Sequence, residues 1–177
     1  MNYTILEPGV DLAPAGEYLT FRLGAEEYGI GILKVQEIRS YEVPTRIANA
    51  PPFVRGVTNL RSLIVPIVDL RIKLGCPDAG FDASTVVVVL NLQGGSTIGV
   101  VVDSVSDVLD LESAAIKPAP SMVSQVASSF ITGIGSVQDD RAERTIILLD
   151  VESLLSSSSG PGFTHEDRAN GSAEVAR

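Results

Sequence analysis

The sequence predicts an all-β fold made of two similar units of about five short strands each. Three observations support this prediction. Short runs rich in β-branched residues recur along the chain, turn-forming residues separate them, and one residue pattern occurs twice. The 177 residues are 45% hydrophobic and only 20% charged, which is typical of a globular protein. This length fits one domain, or two small units that share a core.

The first strands form a predicted hairpin. Residues 18–23 alternate, so Leu19, Phe21 and Leu23 are expected on the buried face, and the residues between them on the other face. Alternation resumes in residues 28–32 after a short turn that contains glycine. The two runs are therefore predicted to pair as an antiparallel hairpin.

The regions around this hairpin are less regular. Residues 1–16 carry prolines and glycines without periodicity, which predicts a flexible N-terminal arm. Residues 33–39 fit either a helical turn or a further strand. Residues 44–52 contain prolines and an asparagine, and are predicted to form a surface loop.

The central stretch of the first half is the run from Leu63 to Val68. It is apolar at almost every position, which predicts a strand buried on both faces. Pro66 has no N–H to donate, so this strand is expected to lie at a sheet edge or to pair on one side only there. The polar residues 59–62 precede it and favour a turn. Arg61 is thus placed to be presented to a partner, although an ordinary surface arginine on a hairpin remains the alternative.

The second half repeats this organisation. Asp150 is positioned to cap a short helix over residues 151–155. The serine-, glycine- and charge-rich residues 156–177 are predicted to be a disordered tail. Four runs are predicted to be strands: residues 84–92, 97–103, 130–137 and 145–150.

The duplication rests on three matches in the same order. Residues 53–57 match residues 130–134, and residues 67–70 match residues 148–151. In the third match, the equivalent residues are Gly29 and Gly99, Val35 and Val105, Glu37 and Asp107, and Ile38 and Val108. The sequence therefore predicts two units related by a pseudo-dyad, one over residues 17–82 and one over residues 83–150, which bury a shared face.

Composition excludes several classes of function. The formal net charge of −9 disfavours nucleic acid and anionic membranes as partners. Cys76 is the single cysteine, so the chain forms no internal disulfide, and a reducing compartment is expected. The start has no signal-peptide pattern, and the longest apolar run is too short to span a bilayer. These features predict a soluble cytoplasmic protein without membrane insertion.

The search for catalytic motifs is mostly negative. The single histidine, His165, lies in the predicted tail, which excludes a histidine-based triad or a zinc site in the folded region. No phosphate-binding or dinucleotide-binding loop occurs, and no cofactor is expected. An acid/base enzyme or a small-ligand binder stays open as the alternative, with a carboxylate cluster drawn from Asp103, Asp107, Asp139, Asp140 and Asp150. Capping and solvated faces account for these carboxylates more simply, so a binding protein is favoured.

A family resemblance supports the binding protein. Residues 26–75 read EEYGIGILKVQEIRSYEVPTRIANAPPFVRGVTNLRSLIVPIVDLRIKLG, and residues 86–111 include VVVVLNL and IGVVVDSVSDVLDL. Over residues 17–155 the chain resembles the CheW-like family of chemotaxis coupling proteins. The resemblance implies two SH3-like β-barrels around a shared hydrophobic core. It also implies an adaptor without catalytic activity that links transmembrane chemoreceptors to the histidine kinase CheA.

The resemblance also implies where partners bind. The helical hairpin tip of a receptor is expected in a groove, with Arg61 as the polar specificity residue and Glu37 as a group that can hold it. Core packing is an equally good explanation for Val35, and a solvated charge is the alternative for Glu37. The groove residues are Val35, Glu37, Gly56, Asn59, Leu60 and Arg61.

Two further expectations follow from the resemblance. The regulatory domain of the kinase and other CheW-like proteins are expected to contact the outer faces, in contacts that can close into rings. The candidate residues there are Arg55, Lys117 and Met122. Ser62 stands where the family usually has glycine after the Asn-Leu-Arg triplet. If that position needs a positive φ, serine there costs about 1 kcal/mol.

Overall fold

A computed structural model of the chain describes residues 12–76, 79–120 and 130–156. It contains two β-sheets, one with six strands and one with five. The strand order is β8-β1-β2-β11-β10-β9 in the six-stranded sheet and β3-β6-β7-β5-β4 in the five-stranded sheet. The predicted all-β class with two similar units is confirmed, and the two-residue strand β9 adds a sixth strand to one unit.

The strands and helices follow the repeat closely. The six-stranded sheet contains β1 (Gly16–Leu23), β2 (Glu26–Gly31), β8 (Ser104–Leu111), β9 (Ile116–Lys117), β10 (Ile131–Asp139) and β11 (Ala142–Leu149). The five-stranded sheet contains β3 (Val35–Ser40), β4 (Val54–Leu60), β5 (Leu63–Asp69), β6 (Val86–Asn91) and β7 (Thr97–Val102). Two short helices follow equivalent strands, α1 (Leu70–Lys73) after β5 and α2 (Val151–Ser156) after β11.

The two repeats exchange their first hairpins. Strands β1 and β2 come from the first repeat but pair with β8 and β11 of the second. Strands β6 and β7 come from the second repeat but pair with β3 and β5 of the first. The prediction that residues 17–82 form one barrel and residues 83–150 the other is therefore wrong. The repeat identifies equivalent residues correctly, but the hairpins cross to the other sheet at Ile32–Lys34 and at Asp103.

Each predicted equivalence has a structural counterpart. Gly29 lies beside Leu148 in one parallel strand pair, and Gly99 lies beside Ile67 in the other. The backbone N–H groups of Asp69 and Asp150 each donate to a phenylalanine carbonyl, of Phe53 and Phe130 respectively, at 2.7 Å. Register shifts also fall at equivalent places, after Val54 in β4 and after Ile131 in β10. The pseudo-dyad is thus real at the level of single hydrogen bonds.

The exchanged hairpins create the shared core. They meet face to face, and their buried side chains form one apolar cluster with residues of both helices. Burying this face removes apolar area from water that neither sheet could cover alone. The cluster contains Leu19, Phe21, Leu23, Ile30, Leu70, Val88, Leu90, Val100, Val102, Leu149, Val151 and Leu154. Each sheet also has a smaller inner cluster of its own.

Two details of burial differ from the predictions. In β1, Tyr18 and Thr20 are buried as well as the alternating apolar residues, because the far face of the strand covers the inner cluster of the six-stranded sheet. In β5, Leu63 and Ile64 are 51% and 60% exposed, so the strand is not buried on both faces at its beginning. Apolar composition alone did not distinguish the hairpin tip from the core.

The expectations for Pro66 and Asp150 are confirmed. Pro66 pairs with Val57 of β4, whereas pairing of β5 with β7 begins only at Ile67, so the proline needs no donor on that side. The carboxylate of Asp150 accepts from the backbone N–H groups of Glu152 and Ser153 and caps α2. Asp69 caps α1 in the same way, by accepting from the N–H of Arg71.

Neither helix in the described part of the chain has the length and apolar character that crossing a bilayer requires. The predicted flexible arm lies almost wholly outside the described residues, and so does the predicted tail beyond residue 156.

Candidate functional site

The candidate site is the seam between β3 and β4, the two edge strands of the five-stranded sheet. These edges are not paired with each other, and two pockets lie along the seam. The larger pocket has a volume of about 140 Å³, and the smaller one about 60 Å³. Leu60 lines both pockets, and valines of the inner cluster line each of them. The seam therefore combines an apolar interior with polar edges, which is the usual composition of a binding groove.

The hairpin tip beside this seam has an unfavourable backbone. Strands β4 and β5 pair up to Leu60 and Leu63, which leaves Arg61 and Ser62 as a two-residue turn. Their φ angles are 50° and 70°, in the left-handed region that disfavours side chains with a Cβ. Ser62 thus does occupy a position that needs a positive φ, and the expected cost of about 1 kcal/mol applies. Strain of this kind is often kept where it presents a functional side chain.

Arg61 and Glu37 form an ion pair across the seam. The guanidinium Nη2 of Arg61 lies 2.9 Å from the Glu37 carboxylate, while 76% of the Arg61 side chain stays exposed. Arg39 binds the other oxygen of the same carboxylate at 3.2 Å. An exposed pair like this contributes little to stability. Its visible effect is to fix the direction in which the Arg61 donors point.

The structure brings together most of the predicted groove residues. Glu37, Leu60 and Arg61 line the larger pocket, and Asn59 lines the smaller one beside Leu60. Val35 packs against the shared core, which supports the core explanation for that residue.

Gly56 lies inside the sheet and has a structural role. Its φ is +145°, and a Cβ at this position would lie 2.1 Å from the carbonyl oxygen of Thr45. Glycine is therefore required where Thr45 pairs with β4, in an antiparallel bridge to Val57. The effect of Gly56 on the seam is indirect, because it fixes the path of β4.

Arg55 is part of a partly buried charge cluster at the base of the same hairpin. Its guanidinium donates two hydrogen bonds to the Asp69 carboxylate, at 2.8 and 3.0 Å. Arg71 binds both oxygens of Asp69 and also reaches Asp103 at 2.9 Å, with only 1% of its side chain exposed. Arg55 is therefore an ion-pair residue rather than a free arginine on an outer face.

This cluster perturbs the ionisation of its members. Burial raises the pKa of the Asp69 carboxyl, but hydrogen bonds from Arg71 and Arg55 outweigh burial, so the net pKa is lowered. Phe81 covers the cluster, with both guanidinium carbons within 4.9 Å of its ring centroid, and stacks on Tyr41. The sequence analysis missed Arg71 and Phe81. The sequence match between Asp69 and Asp150, a predicted helix cap, could have indicated a structural role for Asp69.

Lys117, which is also a predicted contact residue, lies apart from the seam. Lys117 is exposed in β9 at the edge of the six-stranded sheet. Met122 lies outside the described residues. Sequence reasoning also missed Gln36, Leu63, Val65, Val89 and Thr97, which line the larger pocket. Val89 and Thr97 belong to the exchanged hairpin, so only the three-dimensional pairing could identify them.

The carboxylates proposed for acid/base chemistry have separate partners. Asp103 binds Arg71, and Asp150 caps α2. Asp107 binds Arg144, and that hydrogen bond lowers the pKa of its carboxyl despite partial burial. A carboxyl group whose pKa is lowered, as in Asp107, is a poor general acid at neutral pH. Over the described residues, no group of three or more His, Cys, Asp and Glu side chains could hold a metal ion.

Comparisons with known proteins agree with this description. Residues 17–159 match the CheW-like domain family. The chain is 54% identical over 141 residues to the chemotaxis protein CheW of Klebsiella aerogenes, an alignment that covers 80% of this chain and 82% of that protein. It is 34% identical over 140 residues to the probable chemotaxis protein CheW of Rhizobium etli, which covers 79% of this chain and 87% of that protein.

A solved structure has the same fold. The crystal structure of the scaffolding protein TtCheW from Thermoanaerobacter tengcongensis matches with a TM-score of 0.72 and 28% identity, and the match covers 81% of this chain and 94% of that one. The paired sheets and the long sequence matches lead to one conclusion. The chain belongs to the CheW-like domain family and is a chemotaxis scaffold protein, not an enzyme.

Proposed function

We propose that this protein couples transmembrane chemoreceptors to the histidine kinase CheA, and that it works in the cytoplasm at receptor arrays. The observation that carries the proposal is the seam between β3 and β4, where a strained turn holds an exposed arginine beside an apolar groove. Family membership supports a scaffold role, and the seam supplies a surface that fits a helix.

The chemistry of the seam suits the cytoplasmic helical hairpin of a receptor. Apolar side chains of the helix fill the two pockets on either side of Leu60, while Arg61 provides a planar, charged donor. Glu37 holds the guanidinium at 2.9 Å before the partner arrives, so little side-chain freedom is lost on binding. Asn59 adds an exposed polar group at the edge of the groove.

The regulatory domain of CheA is the second proposed partner, together with other CheW-like proteins in rings. A chain with two pseudo-equivalent sheets offers different faces at its two ends, as head-to-tail contacts require. Lys117 is exposed and remains our candidate for such a contact, with Met122 beyond it in sequence. Arg55 contributes through the small exposed part of its side chain, since Asp69 holds its guanidinium.

An Arg61→Glu variant tests the receptor groove. We expect its affinity for receptor fragments to fall about tenfold or more, because the new carboxylate faces Glu37 and removes the donor. Arg141→Glu is the matched control, since Arg141 is an exposed arginine at the tip of the equivalent β10–β11 hairpin. Circular dichroism should be unchanged in both variants. Normal receptor pull-down by folded Arg61→Glu, or equal losses in both variants, would rule out the groove.

A further inference from the structure

The carboxylate of Glu152 in α2 joins two strands of the five-stranded sheet at one end. One of its oxygens lies 3.1 Å from Nζ of Lys34 and also accepts a hydrogen bond from the backbone N–H of Gln93. Lys34 directly precedes β3, and Gln93 closely follows β6. These two strands pair from Val35 and Leu90 onward. Glu152 therefore holds together the end where the β3–β6 pairing begins.

The other half of the molecule has an equivalent arrangement with the charges reversed. Arg71 occupies the position in α1 that Glu152 occupies in α2, two residues after the capping aspartate. Arg71 binds Asp103 at 2.9 Å, and Asp103 accepts from the backbone N–H of Gly24 at 2.6 Å. Asp103 directly precedes β8, and Gly24 directly follows β1, which is the strand that pairs with β8.

The two arrangements differ in exposure. Arg71 is almost fully buried and has Asp69 and the carbonyl of Gly80 as further partners. Lys34 and Glu152 keep 35% and 24% of their side chains exposed. The N–H of Gln93 and the ammonium group of Lys34 lower the pKa of the Glu152 carboxyl, so it is ionised at neutral pH. Both members of the ion pair at the β3 end are thus partly exposed, whereas the pair at the β8 end has one buried member, Arg71, and a partner, Asp103, whose side chain is 35% exposed.

We propose that Glu152 and Lys34 are positioning residues for the seam. They fix the position of the beginning of β3 relative to β6. This places Glu37 where its carboxylate can bind Arg61. Glu37 follows Lys34 by three residues, just beyond the register shift between Val35 and Glu37, where the hydrogen-bond ladder of the strand is locally disrupted. The expected effect on receptor binding rests on the proposed function. The expected restraint of β3 is independent of that function.

Amide hydrogen exchange tests the restraint without a partner. Glu152→Gln keeps the size and one oxygen acceptor but removes the charge. We expect exchange at the amides of Val35 to Ile38 to become roughly three- to tenfold faster, with no change at Val105 to Val108 in β8. The double variant Lys34→Met with Glu152→Gln should exchange no faster in β3 than Glu152→Gln alone, because the charge that attracts Lys34 is already gone. Glu143→Gln, an exposed carboxylate on β11 that binds Ser136, is the control.

Unchanged exchange in β3, or equal acceleration in β3 and β8, would overturn the restraint. Binding of a receptor fragment is the second readout, and Glu152→Gln should weaken it about threefold, with no further loss in the double variant. Faster exchange with unaltered binding would show that the restraint does not serve the seam. If Arg61→Glu binds receptors normally, the groove itself is wrong, and the exchange result still decides whether Glu152 restrains β3.

Discussion

The β4–β5 and β10–β11 hairpins occupy equivalent positions in the two repeats, yet their ion pairs lie at different places along the hairpin. In β4–β5 the base is a buried charge cluster around Asp69, and the tip is a strained turn with an exposed Arg61. In β10–β11 the base carries the half-buried cap Asp150, and no residue of the tip has a positive φ. The charges of β10–β11 pair along the strand, where Arg144 binds Glu27 and Asp107.

The two hairpins differ in how far their arginines are exposed to solvent. Arg144 has 23% of its side chain exposed, and its hydrogen bond to Asp107 raises the pKa of its guanidinium. Arg61 has a pseudo-equivalent acidic partner, Glu37, but remains mostly exposed. We infer that the buried ion pair at Asp69 holds the base of β4–β5, while the tip carries the strained turn and an arginine that is mostly exposed to solvent.

The largest effect is expected at the base. Asp69→Ala leaves the buried guanidinium of Arg71 without its main partner and should lower the free energy of unfolding by about 4 kcal/mol. Asp150→Ala removes only a helix cap and should cost about 1 kcal/mol. Urea denaturation of both variants measures the difference. Equal losses would mean that the buried cluster adds nothing to the capping role.

The same cluster makes the free energy of unfolding depend on pH in the acidic range. The folded-state pKa of Asp69 lies below its ordinary value of 3.8. Its contribution is therefore complete above that ordinary value, and it disappears as the pH falls through the lower folded value. Below about pH 4, the free energy of unfolding of Asp69→Asn should therefore fall less steeply with decreasing pH than that of the original chain. Urea denaturation at several pH values measures both slopes.

The next effect is expected in the middle of the hairpins, at the equivalent glycines. Gly56→Ala places a Cβ 2.1 Å from the Thr45 carbonyl oxygen at a positive φ, which should cost about 3 kcal/mol. Gly133→Ala meets the side chain of Ile116 at 3.0 Å without that backbone strain, and should cost about 1 kcal/mol. Thermal unfolding separates them. A milder effect at Gly56 would mean that the segment at Thr45 can move away from β4.

The smallest effect is expected at the tip. Ser62→Gly relieves a left-handed conformation, and the higher backbone entropy of unfolded glycine offsets part of that gain, so we expect about 0.5 kcal/mol of stabilisation. Asp140→Gly in the other hairpin, where φ is not positive, should be destabilising instead. Denaturation midpoints of the two variants test the comparison. A destabilised Ser62→Gly would mean that the serine side chain contributes more than the strain costs.

Much of the pseudo-symmetry was predictable from sequence. The matches of Gly29 to Gly99 and of Asp69 to Asp150 became structurally equivalent positions, because each occupies a place where a glycine or a cap is required. The turn predicted over residues 59–62 agrees with the structure in part, since Arg61 and Ser62 form the turn while Asn59 and Leu60 still pair within β4.

The hairpin exchange was not predictable, because a repeat pattern says which residues are equivalent and not which copy they pair with. The burial of Arg71 depends on Asp103 and Phe81, which come from later in the chain. Leu63 and Ile64 are as apolar as the core residues that follow them, so composition could not indicate that they are exposed. These features are decided by contacts between distant parts of the sequence.

The exchange of hairpins has a consequence for synthesis on the ribosome. Strand β3 is joined to the rest of its sheet only through β6, so the five-stranded sheet cannot assemble before residue 102 has left the exit tunnel. Strands β1 and β2 are made first, yet they wait for β8 and β11, the last of which ends at Leu149. The five-stranded sheet therefore has all its strands once residue 102 is available, whereas the six-stranded sheet waits for residue 149. The shared core is completed late in translation, and because each sheet contains strands of both repeats, we expect neither repeat to be stable when it is expressed alone.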